Sequence, residues 1–263
     1  MEEDVISRKK AKRRADFWRV WLTRVSTNKK RLILGLVLVI VAFVLVFAGY
    51  QAVTWPDVRG LGHSNPTTTA FIERYLSQAE TADQTIEPSW LWVPYDSISP
   101  HLKRAVLVAE DIGFFSHGGF EMHEIKQAIR DAVAGERALR GASTITQQLA
   151  KNLWLTPSRS LLRKLKEAAL TYQLEQHLSK KRILELYLNV VEFGPGVYGA
   201  EAASRNYFGK SAADLSVAEA AQLAAALPRP ARWNPASESR SYRQYSATIE
   251  ERMDQAEFLW RRI

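Results

Sequence analysis

The sequence contains no cysteine. A disulfide framework, a thiolate nucleophile and a Cys-ligated metal or cluster are therefore excluded. It also lacks any sustained strand-period alternation, which argues against an all-β fold. Net charge is nearly absent from most of the chain. Residues 1–31 hold eleven Lys/Arg against four Asp/Glu, whereas the rest holds 25 against 24. The formal charge of +8 thus belongs mainly to an N-terminal tail. What is abundant is apolar: 46% hydrophobic residues, with eight Trp, nine Tyr and ten Phe, exclude a disordered chain. A length of 263 residues accommodates a tail and one domain, or two small domains.

A basic tail alone would suggest nucleic acid. Here an uncharged run, Leu32 to Tyr50 (LILGLVLVIVAFVLVFAGY), follows at once. Its 19 residues hold no Pro and no charge. As a helix they would cover about 28 Å, near the thickness of the hydrocarbon core. Trp18, Trp21, Tyr50 and Trp55 flank the run as interfacial aromatics do. The run is long for a signal-peptide core and no clear small-residue cleavage site follows, so it reads as a retained anchor over 32–50. The positive-inside rule then places tail 1–31 in the cytoplasm and the remainder outside, which makes nucleic acid an unsuitable partner.

Residues 51–66 are rich in Gly and Pro and read as a linker. Residues 67–263 form the exported domain and are mainly α. Helices are expected over Thr67–Gln78, from Ser99-Pro100 through Glu110, and over Ala142–Leu155, Ser160–Leu178, Ser179–Asn189 and Gly199–Phe208. A Ser216–Glu219 capping box opens an Ala-rich helix before Pro228. Pro88–Tyr95 is expected to be extended or a loop, and Glu192–Gly199 (EFGPGVYG) a turn.

Three segments carry candidate chemistry. Glu110-Asp111 closes an apolar helix, with Val106 and Leu107 one turn back. A carboxylate against such a wall loses hydration, and its pKa rises toward that of a working acid or base. The turn FFSHGGF, with Phe114 and His117, follows it. His117, His123 and Glu121 do not fit a common metal spacing. In GASTITQQLAKN (141–152), Thr144, Gln148 and Lys151 share a helical face that suits a sugar or phosphate; taken alone, it also reads as an ordinary solvated face. In RKLKE (163–167), Arg163 and Glu167 are four apart and could equally be a surface ion pair.

Charge patterning links these segments. From Arg137 to Lys166 there are seven basic residues and no acidic one. Such a run focuses field on anions. Lys180, Lys181 and Arg182 sit at a helix start, where cations oppose the helix dipole unless an anion is near. A phosphorylated or pyrophosphorylated substrate fits, and the anchor suggests a lipid.

EDIGFFSHGGF, GASTITQQLAKNLWL, RKLKE and KKRILELYLNVVEFGPGVYGAEAASRNYF, in this order, resemble the motifs of the peptidoglycan glycosyltransferases (glycosyltransferase family 51). The resemblance spans about Pro88 to Pro230. It implies a lysozyme-like, two-lobed α fold that polymerises lipid II, with the growing chain on undecaprenyl pyrophosphate as donor. Too little chain follows Pro230 for the transpeptidase domain of bifunctional relatives. By motif, Glu110 corresponds to the general base and Glu167 to the second essential glutamate. Asp111, Phe114 and His117 shape the site. Thr144, Gln148, Lys151 and Arg163 line the donor pyrophosphate region. Glu121 stands where Asp is often found. The resemblance admits a divalent cation (Mg or Mn) at the pyrophosphate, without a convincing ligand set here. It implies the membrane and the lipid-linked glycan as partners, leaves cell-wall synthesis or division proteins as further ones, and implies an inner-membrane location with a periplasmic domain. Met122–Arg140 corresponds to a gating segment. A glycan-cleaving enzyme of the same fold and an inactive wall-complex scaffold are the competing readings.

Overall fold

The structure is a computed structural model describing residues 33–81, 87–121, 143–158 and 160–263. The basic tail, the expected gating segment and His123 lie outside the described residues. Helix α1, Ile33–Val53, is 21 residues long with a mean hydropathy of 2.9, long and apolar enough to cross a membrane. It belongs to a unit ending at Pro56; a second unit runs from Asp57 to Ile263.

Part of the stretch read as linker belongs to that second unit. Val58 and Leu61 are buried. Arg182 donates to the Leu61 carbonyl, the Ser64 carbonyl and Asn65 Oδ1, each at 2.8 Å. Composition alone misses this because the tie comes from a residue over a hundred positions away.

The unit is mainly helical: α2 (Ala70–Thr81), α3 (Pro100–Glu110), α4 (Ile145–Trp154), α5 (Leu161–His177), α6 (Lys180–Val190), α7 (Ala200–Phe208), α8 (Val217–Ala226) and α9 (Arg240–Gln255). Most starts are set by hydroxyl caps. Ser99, Thr144, Ser160, Ser179, Ser216 and Ser239 each accept a backbone N–H from the first turn of the following helix. This satisfies donors that the helix cannot pair internally. Helix α2 starts later than expected, because Thr69 accepts from Ile72 N at 3.1 Å.

Two groups of helices build the unit. Helices α3, α8 and α9 pack together, with the 3₁₀ turn Glu257–Arg261 against α3. Ala220, Ala221 and Ala224–Ala226 are fully buried, and their small side chains let α3 and α9 approach α8 closely. Helix α4 packs on α5, α6 and α2. Trp260 lies just beyond α9. Its ring centroid is 5.5 Å from His101, and the Arg104 guanidinium lies 4.3 Å from it, both at the start of α3. Helix α9 is therefore antiparallel to α3, and its N-terminal half lies toward Glu110.

The expected turn Glu192–Gly199 is instead a small hairpin. Strands β2 (Glu192–Gly194) and β3 (Val197–Tyr198) pair antiparallel, and β1 (Ser89–Trp90) adds parallel to β3, in the order β1-β3-β2. Gly196 turns the chain at φ +72. At Gly199 a side chain would lie 2.6 Å from the Asn189 carbonyl oxygen, so a glycine is required there.

Candidate active site

Where α3 ends, α4 begins beside it. Asp111 makes the link: its Oδ2 accepts the Ile145 amide of α4 at 3.0 Å. Its Oδ1 lies 2.9 Å from His117 Nε2. His117 Nδ1 accepts the Gly119 N–H at 3.0 Å, so the ring carries its proton on Nε2 and donates it to Asp111. Gly119 adopts φ +87, and its carbonyl accepts from Thr144 Oγ1 at 2.7 Å. Phe114 is wholly buried, with Lys180 Nζ 4.5 Å from its ring centroid. The turn after α3 is thus a frame of hydrogen bonds built on residues 111–119 and closed on α4.

Glu110 projects from the end of this frame. Val106 and Leu107, one turn back, are fully buried. Burial holds the Glu110 carboxyl above the ordinary carboxylate range; Gln148 and Lys151 draw it partly back, and Asp111 adds to the rise. Gln148 Nε2 donates to Glu110 Oε2 at 2.7 Å. The other end of that amide, Oε1, accepts from the Tyr187 hydroxyl at 2.9 Å. Tyr187 is fully buried on α6, and burial together with Glu110 and Asp111 pushes its ionisation well up, so it remains a donor. The relay Tyr187–Gln148–Glu110 fixes the amide orientation and aims the carboxyl.

One turn along α4, Lys151 lies within electrostatic reach of both glutamates. Burial lowers its pKa, Glu167 and Glu110 raise it, and Lys164 and Arg163 lower it. Glu167 on α5 is 3% exposed. One oxygen accepts from Arg163 Nη1 at 2.9 Å and the other from Lys164 Nζ. Arg163 is further held by the Ser158 carbonyl. Glu167 is thus the hub that positions two cations beside Lys151.

A cavity of about 600 Å³ is lined by Pro228, Arg229, Trp233 and Tyr245. Tyr245 is on the N-terminal half of α9. Burial raises its phenol's pKa, and the charge of Glu110 raises it further.

A model of the transglycosylase family matches residues 78–254, over half of the chain. The chain belongs to the transglycosylase family. Among its relatives is a protein of Aromatoleum aromaticum called biosynthetic peptidoglycan transglycosylase. It is 47% identical over 195 residues, which cover 74% of this chain and 85% of that protein. A protein of the same name from Thiobacillus denitrificans is 51% identical over 169 residues, covering 64% of this chain and 72% of that protein. Another, from Methylobacillus flagellatus, is 43% identical over 223 residues, covering 85% and 96%.

In this transglycosylase, the residues singled out in the sequence come together with some changes of part. Glu110, Gln148 and Lys151 converge, and Arg163 and Glu167 join them through Lys151. Thr144 also has a structural part. Its hydroxyl caps α4: it is donated to the Gly119 carbonyl and accepts the Gln147 N–H, and the residue is 3% exposed. Gln148 donates to Glu110. Lys180, Lys181 and Arg182 are paired with Glu175, Asp96 and Glu185, so they need no bound anion. The sequence did not point to Tyr187, which lies on the apolar face of α6 and reads as core. It also did not point to the cavity, whose aromatics come from a loop and from α9.

Proposed function

We propose that this transglycosylase polymerises lipid II into glycan strands. The relatives' name, biosynthetic peptidoglycan transglycosylase, supports that class of reaction. The single observation that carries the mechanism is a carboxyl raised by burial, Glu110, coupled through Lys151 to a preformed cationic set.

Glu110 takes the proton of the acceptor GlcNAc 4-hydroxyl as that oxygen attacks the donor's C1. The acceptor O4–C1 bond forms, the C1–O bond to pyrophosphate breaks, and the electron pair leaves with undecaprenyl pyrophosphate. A hydroxyl is a weak nucleophile, so a poised carboxylate within hydrogen-bond reach is what the step requires. Displacement from the opposite face inverts the sugar to a β-1,4 linkage. Lys151, Arg163 and Lys164 neutralise the departing charge, and because Glu167 already holds two of them, little reorganisation accompanies the reaction. Glu167 acts as a positioning residue.

Among the described residues, no group of three His, Asp or Glu could hold a metal ion. Both oxygens of Glu167 are taken by cations. No step is assigned to a metal ion.

Helix α1 anchors the chain in the inner membrane, with residues 1–31 cytoplasmic and the catalytic domain periplasmic. The lipid tails of both substrates then remain in the bilayer while their sugars react. Full-length protein in detergent, incubated with labelled lipid II, tests the reading. Long, lysozyme-sensitive polymer is expected. Small fragments released from preformed wall would indicate a glycan-cleaving enzyme, and neither product an inactive scaffold.

A further inference from the structure

Three consecutive residues at the start of α4 are tied to three different partners. The Thr144 hydroxyl donates to the Gly119 carbonyl, the Ile145 N–H to Asp111, and the Thr146 hydroxyl to Glu175 Oε1 at 2.5 Å. The first two close on the turn after α3. The third reaches α5, 29 positions along the chain. The same Glu175 oxygen accepts from Lys180 Nζ of α6 at 2.8 Å. Thr146 is fully buried, and the Glu175 side chain is 7% exposed. A carboxylate so far out of water needs a counter-ion, and Lys180 supplies it. Its charge makes the bond from Thr146 short and strong. Glu175 also backs the turn after α3, since a side chain at Gly119 would lie 2.9 Å from its Cγ. Lys180 Nζ meets the same turn, 4.5 Å from the Phe114 ring centroid. One carboxylate thus joins α4, α5 and α6 behind the turn that follows Glu110, and neither proton transfer nor charge neutralisation uses it directly.

Gln148 shows what this junction controls. It lies two residues beyond Thr146, and its amide meets two helices at once: Glu110 at the end of α3 at 2.7 Å, and Tyr187 on α6 at 2.9 Å. Both bonds hold only while α4 keeps its place against α3 and α6 together. Asp111 and Gly119 fix the first turn of α4 to the end of α3. Glu175 fixes the same turn to α5 and, through Lys180, to α6. Setting register is the best-attested use of a buried ion pair. Resting on the reading of Glu110 as the base, we infer that Glu175 is a positioning residue for the reaction: it pins α4 to α5 and α6 so that the Gln148 amide reaches Glu110 and Tyr187 together.

The test titrates the Glu110 carboxyl in full-length protein in detergent, by infrared difference between each variant and its own Glu110→Gln counterpart. No turnover is needed. The acidic limb of kcat/KM with lipid II is followed beside it. The titratable and charged groups that face Glu110 are Lys151 of α4, Asp111 next to it, and the phenols of Tyr187 on α6 and Tyr245 on α9. All of them stay in place when Glu175 is replaced, so a shift reports the loss of the Gln148 bond, which favours the ionised form. Glu175→Ala should move the titration and the acidic limb to higher pH, the direction expected of Gln148→Ala. The rate at pH 7 should fall by about tenfold, within what a misplacement of about 1 Å can cost. Added to Gln148→Ala, it should produce no further shift. Glu175→Gln, whose amide oxygen still accepts from Thr146 and Lys180, should restore most of the wild-type titration. Thr146→Val removes the α4 end alone and should shift the titration in the same direction; it carries the test if Glu175→Ala does not fold. A wild-type titration in both folded variants, or an equal further shift on Gln148→Ala, overturns the pin. A protein that polymerises lipid II while the titration stays unmoved keeps its function and loses the pin. One that titrates as expected but makes no polymer keeps the pin and loses the function.

Discussion

The amide of Gln148 donates to the Glu110 carboxyl at 2.7 Å, and this one hydrogen bond joins the end of α3 to α4 at the reacting position. It favours the ionised form of Glu110, against a burial that disfavours it. Gln148→Ala should therefore raise the Glu110 pKa further, and the acidic limb of the kcat/KM–pH profile should move to higher pH. At pH 7 the rate should fall by about tenfold or more, since less of the base is ionised and its aim is lost. Tyr187→Phe frees the far end of the same amide and should shift the limb in the same direction by less. It should also lower stability by about 1 kcal/mol, the cost of an unpaired buried carbonyl. An unmoved limb in both variants would remove the relay from the mechanism.

Lys151 stands between two carboxylates, and the larger support for its charge comes from Glu167. Lys151→Ala should reduce polymerisation by at least about 100-fold, the scale for losing one preorganised charge aimed at a leaving group. Glu167→Gln keeps Lys151 but withdraws the partner that holds its pKa up. The alkaline limb should then move to lower pH, with kcat reduced, because Arg163 and Lys164 are released as well. Matched wild-type and variant pH–rate profiles with lipid II check both effects. A Glu167→Gln profile that changes in height alone would leave Glu167 a merely structural ion pair.

The frame that carries Glu110 depends on one backbone conformation. At Gly119 φ is +87, and a side chain there would lie 2.8 Å from Thr171 Cγ2 and 2.9 Å from Glu175 Cγ. Gly119→Ala should cost about 2 kcal/mol or more, and lower activity too, because Gly119 orients both His117 and Thr144. Thermal unfolding of the detergent-solubilised protein measures the first effect, and a Tm equal to wild type would contradict it.

Much of this was legible in the sequence, for local reasons. Helix starts follow from Ser and Thr placed before apolar-periodic runs, and the apolar wall behind Glu110 follows from Val106 and Leu107 lying one turn back. The sheet was not legible. Gly194, Pro195, Gly196 and Gly199 erase any alternation, and β1, which completes it, lies about a hundred residues away at Ser89–Trp90. Thr144 shows what helical-face spacing does not reveal: besides sharing a face with Gln148 and Lys151, it caps the start of its helix. Tyr187 was hidden because a phenol on an apolar stripe looks like core until its hydroxyl is seen to meet Gln148. The cavity could not be read either, since it exists only because α9 returns antiparallel to α3.

The membrane orientation can be tested in a background that already lacks cysteine. Ser241→Cys, on an exposed position of α9, and Ser7→Cys, in the tail, are each expressed in spheroplasts. A membrane-impermeant maleimide should label Ser241→Cys in intact spheroplasts and Ser7→Cys only after lysis. The reverse pattern would contradict the periplasmic placement of the domain.

The most direct test of the central claim is the lipid II polymerisation rate of Glu110→Gln, paired with its thermal stability at two pH values. The folded-state pKa of Glu110 is raised, so its ionised form costs stability once the pH passes above the unfolded value and through the folded one. The amide should therefore unfold at a temperature equal to or above wild type at pH 8, and this advantage should fade as the pH falls toward the unfolded carboxyl value. The account predicts a well-folded variant that makes no polymer. A folded variant that polymerises lipid II at a near wild-type rate would contradict it.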